Sequence, residues 1–119
     1  MQKYTLAFIF NPNFEKVLLM HKDRPTWQAG KINGLGGKHL DDEDSNTCIA
    51  REIKEESNLD IDKDKFVNVG IMYSGIFRID VFGAVYSGDL TDAQSMESEK
   101  VEWFDVSSLP PNTLDNVPW

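Results

Sequence analysis

Three glutamates stand closer together in this chain than a helix would favour. Glu52, Glu55 and Glu56 fall within "REIKEES", residues 51–57. Residues three and four apart share a helix face, where like charges cost about a few tenths of a kcal/mol per pair. A helix places these three within an arc of roughly 100°, so the spacing predicts carboxylates that converge on one point. A solvated helix face is the ordinary reading of such a charge run; a bound cation would offset the repulsion. Hard divalent ions take oxygen ligands and are held by a few carboxylates together with substrate phosphates. Just ahead lies "GLGGK", where glycines let the backbone approach a ligand closely. A metal beside such an approach suits cleavage of a phosphoanhydride bond, in which charge is neutralised and a water oriented.

The rest of the chain has to position that constellation. "KYTLAFIF", rich in aromatic and branched residues, predicts a strand, "NPN" a turn and "KVLLMHK" a second strand, together a hairpin. Residues 23–36, "DRPTWQAGKINGLG", carry Pro25 and three glycines without periodicity and predict a long loop of the kind often used for function. The helix follows, capped by Asp44 or Ser45, with acids near the positive end of its dipole. Ile49 and Ile53 form its apolar side, next to the acidic stripe. It should stop at "SNL", where Asn58 can take the left-handed conformation. "FVNVGIMY" and "IFRIDVFGAVY" predict a second hairpin turning at "SG". "SGDLTDAQSMESE" is a polar loop, "KVEWFDV" a last strand and "SSLPP" the turn that ends it. Strands with a helix inserted in this order imply a mixed sheet with helical cover. No internal repeat or linker interrupts the 119 residues, and that length suits a single domain, 1–119.

Composition narrows the partners. The net charge is −8, which disfavours long nucleic acid and anionic membranes. Ten of the twenty acidic residues lie between Asp41 and Asp64, against three Lys or Arg in that window, so an anionic substrate would need to arrive with cations. No run of eighteen apolar residues predicts a membrane span, and the amino terminus reads as a strand rather than a signal peptide. A lone cysteine, Cys48, excludes an internal disulfide and suits a reducing cytoplasm.

At the glutamates the chain resembles a known family. Gly37, Glu43, Arg51-Glu52, Ile53, Glu55-Glu56 and Leu59 stand at the spacing of the Nudix box. Eight of its nine fixed positions match over 23 residues, the departure being Asn58 in place of Gly. The resemblance implies an α/β/α sandwich, a mixed β-sheet carrying the Nudix-box helix, and a Mg²⁺-dependent hydrolase (Mn²⁺ a possible substitute) of nucleoside diphosphates linked to another group. It implies that Glu55 and Glu56 bind metal, and that Glu52 binds metal or acts as base. Arg51 would orient a carboxylate, Glu43 would brace the loop against the helix, and the backbone around Gly36 and Gly37 would add a ligand. A further glutamate before the last strand would complete the site: Glu97 or Glu99, with Glu99 preferred on position alone.

"GKINGLGGK" resembles the same segment of the MutT-like branch, whose members destroy oxidised purine nucleoside triphosphates such as 8-oxo-dGTP. That likeness implies purine recognition by Asn33 and by Asp115 and Asn116 of "LDNVPW"; Trp27 or Phe8 is available to stack on the base, and Lys38, beside the glycines, to touch phosphate. An amide such as Asn33 offers a base edge both a donor and an acceptor, although Asn-Gly is also a common turn pair. Trp103 belongs by alternation to the core. His21 and His39 lack spaced partners and read as structural or surface residues. Cys48, with no basic neighbour in the sequence to lower its pKa, reads as helix packing. ADP-ribose, a dinucleoside polyphosphate or a capped RNA end would use the same metal site, and a non-catalytic nucleotide sensor would ordinarily have lost the glutamates. The resemblance also implies a later helix over one sheet face. The chain reaches Trp119 without one, so the expectation is either a truncated chain or cover from a partner such as a second copy.

Overall fold

The computed structural model describes residues 2–23 and 30–113. Seven strands form one mixed sheet: β1 (Gln2–Phe10), β2 (Lys16–His21), β3 (Ile32–Asn33), β4 (Leu35–Lys38), β5 (Val67–Ser74), β6 (Phe77–Val85) and β7 (Val101–Asp105). One α-helix, α1 (Ser45–Ser57), is inserted between β4 and β5. Both hairpins expected from the sequence form, with Gly75 in the left-handed region at φ 58° inside the β5–β6 turn.

β1 is the centre of the sheet. Along its whole length it runs parallel to β6, from Gln2 opposite Phe77 to Phe10 opposite Val85. Its other edge is shared. Tyr4–Ala7 pair with β4 and Ile9–Phe10 with β2, so β2 splays away to meet β3 and β7. This sharing corrects the reading of residues 23–36 as an unbroken loop, since 32–33 and 35–36 are strand. Gly-rich sequence has poor strand propensity, but long-range pairing overrides it, and glycine within a strand marks a close approach. At Gly36 a Cβ would lie 1.9 Å from the Thr5 carbonyl oxygen, so no side chain fits there without separating β4 from β1.

Alternation along the strands builds an apolar cluster on each face. On the helix side Ala7, Ile9, Leu18, Met20, Leu35 and Phe82 pack with Ile49 and Ile53 of α1. Trp103 lies against this cluster and donates from Nε1 to Leu90 O at 2.9 Å, which places it in the core as expected. Phe8, Val17, Leu19, Ile32 and Val81 form the other cluster. The resemblance implied helical layers on both faces, yet α1 is the only α-helix among the described residues.

The helix is fixed at both ends by local chemistry. Asp44 is its N-cap, accepting from Thr47 N–H at 2.8 Å, and Asn58 closes it at φ 65°, donating its N–H to Lys54 O at 3.0 Å. Asp80, buried on β6, anchors the first turn by accepting from Ser45 Oγ at 2.9 Å and from Arg78 Nε and Nη2 at 3.1 and 3.0 Å. Asp80→Ala should lower unfolding free energy by about 2 kcal/mol, the scale of hydrogen bonds to a charged group. Urea denaturation checks this; an unchanged midpoint would mean that the helix docks without the anchor.

Candidate active site

Burial along α1 explains what each glutamate does. Its buried residues are Cys48, Ile49, Ile53, Glu56 and Ser57, so the apolar stripe runs directly into Glu56 instead of lying beside the acids. Glu56 is 5% exposed, and its Oε1 accepts from Gly36 N–H at 3.0 Å. Burial, reinforced by the charge of Glu52, pushes its carboxyl up to about 8, against the opposing pull of Lys22 and the Gly36 N–H. Glu52 is raised too, mainly by burial, with Arg51 opposing. Its carboxylate rests on bare backbone: a Cβ on Gly37 would lie 2.6 Å from Glu52 Oε2. The two glycines thus serve different ends, Gly36 the strand pairing and Gly37 the carboxylate.

Arg51 divides the remaining acids. Its Nη2 donates to Glu43 Oε1 at 2.7 Å and its Nε to Glu43 Oε2 at 3.0 Å, while Nη1 reaches Glu52 Oε1 at 2.9 Å and both Glu55 oxygens at 3.0 Å. Glu43 also accepts from Leu40 N–H at 2.9 Å, tying the loop before α1 to the helix. The Arg51 guanidinium holds Glu43 down at about 2. Glu52 and Glu55 thus share Arg51 Nη1, with Glu55 on the exposed side, while Glu56 faces the Gly36 N–H; with Arg51 between them, no group of three or more His, Cys, Asp or Glu side chains among the described residues stands at metal-holding spacing. Repulsion between like charges, with a guanidinium within reach, favours this dispersal.

Cys48 is fully buried and, as expected, packs the helix. A basic neighbour does exist, because Arg51 Nη2 stands 3.9 Å from its sulfur. Burial outweighs that charge and pushes the thiol up to about 11.

Across the site a second pair of acids behaves differently from the expectation based on position. The segment before β7 is pinned to the end of α1, with Gln94 N–H donating to Ser57 O at 2.8 Å and Met96 N–H to Glu56 O at 3.2 Å. Glu97 follows immediately, exposed, and its charge helps to raise both Glu52 and Glu56. Glu99 is 5% exposed, accepting from Asp23 N–H at 2.7 Å and from Lys22 Nζ at 3.3 Å. Lys22 is the charged residue that sequence reasoning missed. Nothing local separates it from a surface lysine at a strand end; only the β2–β7 pairing brings Glu99 to it.

The substrate-facing residues are less evenly placed. Asn33, the last residue of β3, is buried, its Oδ1 accepting from Gly34 N–H at 2.8 Å. Phe8 is 4% exposed in the cluster opposite α1, where strand alternation packs most of the ring against Val17, Leu19, Ile32 and Val81. Lys38 ends β4 with its side chain exposed, and its carbonyl accepts from Arg51 Nη2 at 3.3 Å. His21 pairs with Glu102 at 2.9 Å, and half-buried His39 donates from Nδ1 to Leu40 O at 2.8 Å. Trp27, Asp115 and Asn116 lie outside the described residues.

Comparison with known proteins agrees with this geometry. A family model described as the NUDIX domain matches residues 2–119. The oxidized purine nucleoside triphosphate hydrolase of Danio rerio is 31% identical over 122 residues, covering 97% of this chain and 74% of the relative. The protein of the same name from Mus musculus is 32% identical over 111 residues, covering 90% and 68%. Among solved structures, a MutT NUDIX hydrolase from Burkholderia pseudomallei superposes with a TM-score of 0.80 at 20% identity, covering 98% of this chain and 92% of that one. That last likeness establishes the fold.

Proposed function

The chain belongs to the Nudix family, hydrolases of phosphoanhydride bonds in nucleotides, and from that premise we propose that it hydrolyses an oxidised purine nucleoside triphosphate, such as 8-oxo-dGTP, to the monophosphate and pyrophosphate. Two MutT-like relatives at 31% and 32% identity carry that substrate class in their names. The observation that carries the chemistry is Glu56, a carboxyl buried at the helix end, held by the Gly36 N–H and pushed up to about 8 by its surroundings. A buried carboxyl whose ionised form has too little compensation, next to a second raised carboxylate and with exposed Glu97 on the facing segment, offers the oxygen donors that a hard divalent cation takes.

Glu52 and Glu56 would hold the ion from the helix and Glu97 from the facing segment, in place of Glu99, which is committed to Lys22 and Asp23. Glu55 would join by turning away from Arg51, and the backbone at Gly36 and Gly37 would add a carbonyl. Mg²⁺, or Mn²⁺ in its place, supplies charge neutralisation on the phosphates and a more acidic water. Glu52 takes the proton of the attacking water, its carboxylate kept in place by Arg51 and by the bare Gly37 backbone. Arg51 fixes which acids face the substrate, and Lys38 meets the phosphate tail. Asn33, Asp115 and Asn116 read the base in this proposal, with Trp27 stacking. Residues 1–119 act as one domain in a reducing cytoplasm, where the buried free Cys48 is stable; among the described residues no helix is long and apolar enough to cross a membrane.

Linkage gives this reading a pH signature. Glu56 has a folded pKa above its unfolded value, so its contribution to stability without metal is fully present below about 4.5 and is lost as pH rises through about 8. A bound cation needs the ionised form, so stabilisation by Mg²⁺ should grow over the same window. Thermal unfolding with and without Mg²⁺ should show a much larger shift at about pH 9 than at about pH 6; a shift equal at both would remove Glu56 from the ligand set.

Product analysis with Mg²⁺ across 8-oxo-dGTP, 8-oxo-GTP, dGTP, ATP, ADP-ribose and diadenosine polyphosphates tests the substrate. Fastest release of monophosphate from an oxidised purine supports the proposal. Preference for ADP-ribose or a dinucleotide would keep the metal site and reject the base-reading residues. Nucleotide binding without turnover would make the domain a sensor.

A further inference from the structure

Among the described residues the sheet ends at β5, which pairs with β6 alone. Exposed apolar side chains concentrate there. Val67, Val69, Ile71, Tyr73 and Ile76 are 45–83% exposed and make up five of the ten large exposed hydrophobic residues among those described. Other edges are protected by charge in the usual way. β7 carries Glu102 and Asp105 and is preceded by Lys100, β4 ends in Lys38, and Lys31 precedes β3. From Phe66 to Phe77 there is no charged residue.

Charge also selects the partner. Residues 62–80 hold three cations (Lys63, Lys65, Arg78) and three anions (Asp62, Asp64, Asp80), net zero, so the remaining residues carry the whole −8. Two copies of so acidic a chain repel each other at most orientations; edge to edge at β5 they meet neutral surface. A bulge between Asn68 and Gly70 bends the start of the strand, whereas Gly70–Ser74 pair with β6 in unbroken register. An antiparallel pair of such segments related by a two-fold axis is self-complementary. Centred on Met72, it sets Ile71 of each copy directly opposite Tyr73 of the other, a β-branched and aromatic cross-strand pair on each side of the axis.

We propose that the exposed edge of β5 is a homodimer contact, in which two copies join their sheets antiparallel about Met72 with Ile71 packed on Tyr73 across the axis. The contact is smaller than the roughly 800 Å² per partner of a standard interface, so the dimer forms by mass action at high concentration.

Sedimentation velocity over a concentration range of about a thousandfold should show the 13.5 kDa monomer giving way to a species of twice that mass. Ile71→Lys should abolish the shift while leaving hydrolysis and the unfolding midpoint unchanged, since Ile71 is exposed and absent from the glutamate site. Met72→Cys should cross-link to its own copy under mild oxidation, because Cα atoms facing across an antiparallel pair stand about 4.5–5.5 Å apart. Met96→Cys, exposed elsewhere, should not. A chain that stays monomeric throughout, a dimer that survives Ile71→Lys, or equal cross-linking at positions 72 and 96 would each overturn the proposal.

Discussion

Replacing Glu56 by glutamine should abolish turnover and stabilise the metal-free protein at the same time. The amide oxygen of the new side chain can still accept the Gly36 N–H that Glu56 Oε1 accepts at 3.0 Å, so the fold loses no hydrogen bond. It does lose a carboxyl whose ionisation burial opposes, its pKa standing at about 8 against an ordinary 4.5. Near neutral pH the unfolded chain ionises this group and the folded chain resists, which costs the wild type about 3 kcal/mol that the glutamine variant does not incur. Catalysis should fall by roughly a thousandfold or more, the scale on which charge-stabilising groups act. Most inactivating substitutions destabilise, so lost activity with a raised melting temperature separates a functional carboxylate from a structural one. A destabilised Glu56→Gln would show Glu56 to be part of the packing alone.

The second large effect concerns Arg51. Arg51→Ala should lower stability by about 3 kcal/mol, because a partly buried guanidinium leaves three carboxylates without their counter-charge. Activity should fall by roughly a hundredfold as Glu52 loses its orientation. Acid titration carries the specific signature. Glu43 has a folded pKa of about 2, below its unfolded value, so its contribution is present above about 4.5 and is lost as pH falls toward about 2. Without Arg51 that acid-side loss should shrink. A double-mutant cycle with Glu43→Gln measures the coupling; strictly additive effects would contradict a shared network.

What could be read from the chain was what local chemistry decides. The helix, its Asp44 cap and its left-handed stop at Asn58 depend on neighbours a few residues apart, and the structure forms all three. Spacing alone also grouped Glu52, Glu55 and Glu56. It could not show that Arg51 would turn Glu55 outward and leave Glu56 buried, because that depends on Gly36 arriving on β4 from twenty residues away. The strand character of the glycine-rich segment was hidden for the same reason, since its hydrogen-bond partners are on β1 and β2. Position along the chain favoured Glu99 over Glu97, whereas the engagement of Glu99 with Lys22 and Asp23 arises only when β2 meets β7. Phe8 illustrates a further limit: an aromatic residue in a strand suits stacking or packing equally until the sheet shows which face is covered.

The most direct measurement is hydrolysis of 8-oxo-dGTP in ¹⁸O-labelled water with Mg²⁺, followed by ³¹P NMR and mass spectrometry. Cleavage between the α and β phosphorus atoms, giving nucleoside monophosphate and pyrophosphate in a reaction that Glu56→Gln eliminates, is the result expected of this site. Release of nucleoside diphosphate and inorganic phosphate, or turnover undiminished in Glu56→Gln, would contradict it.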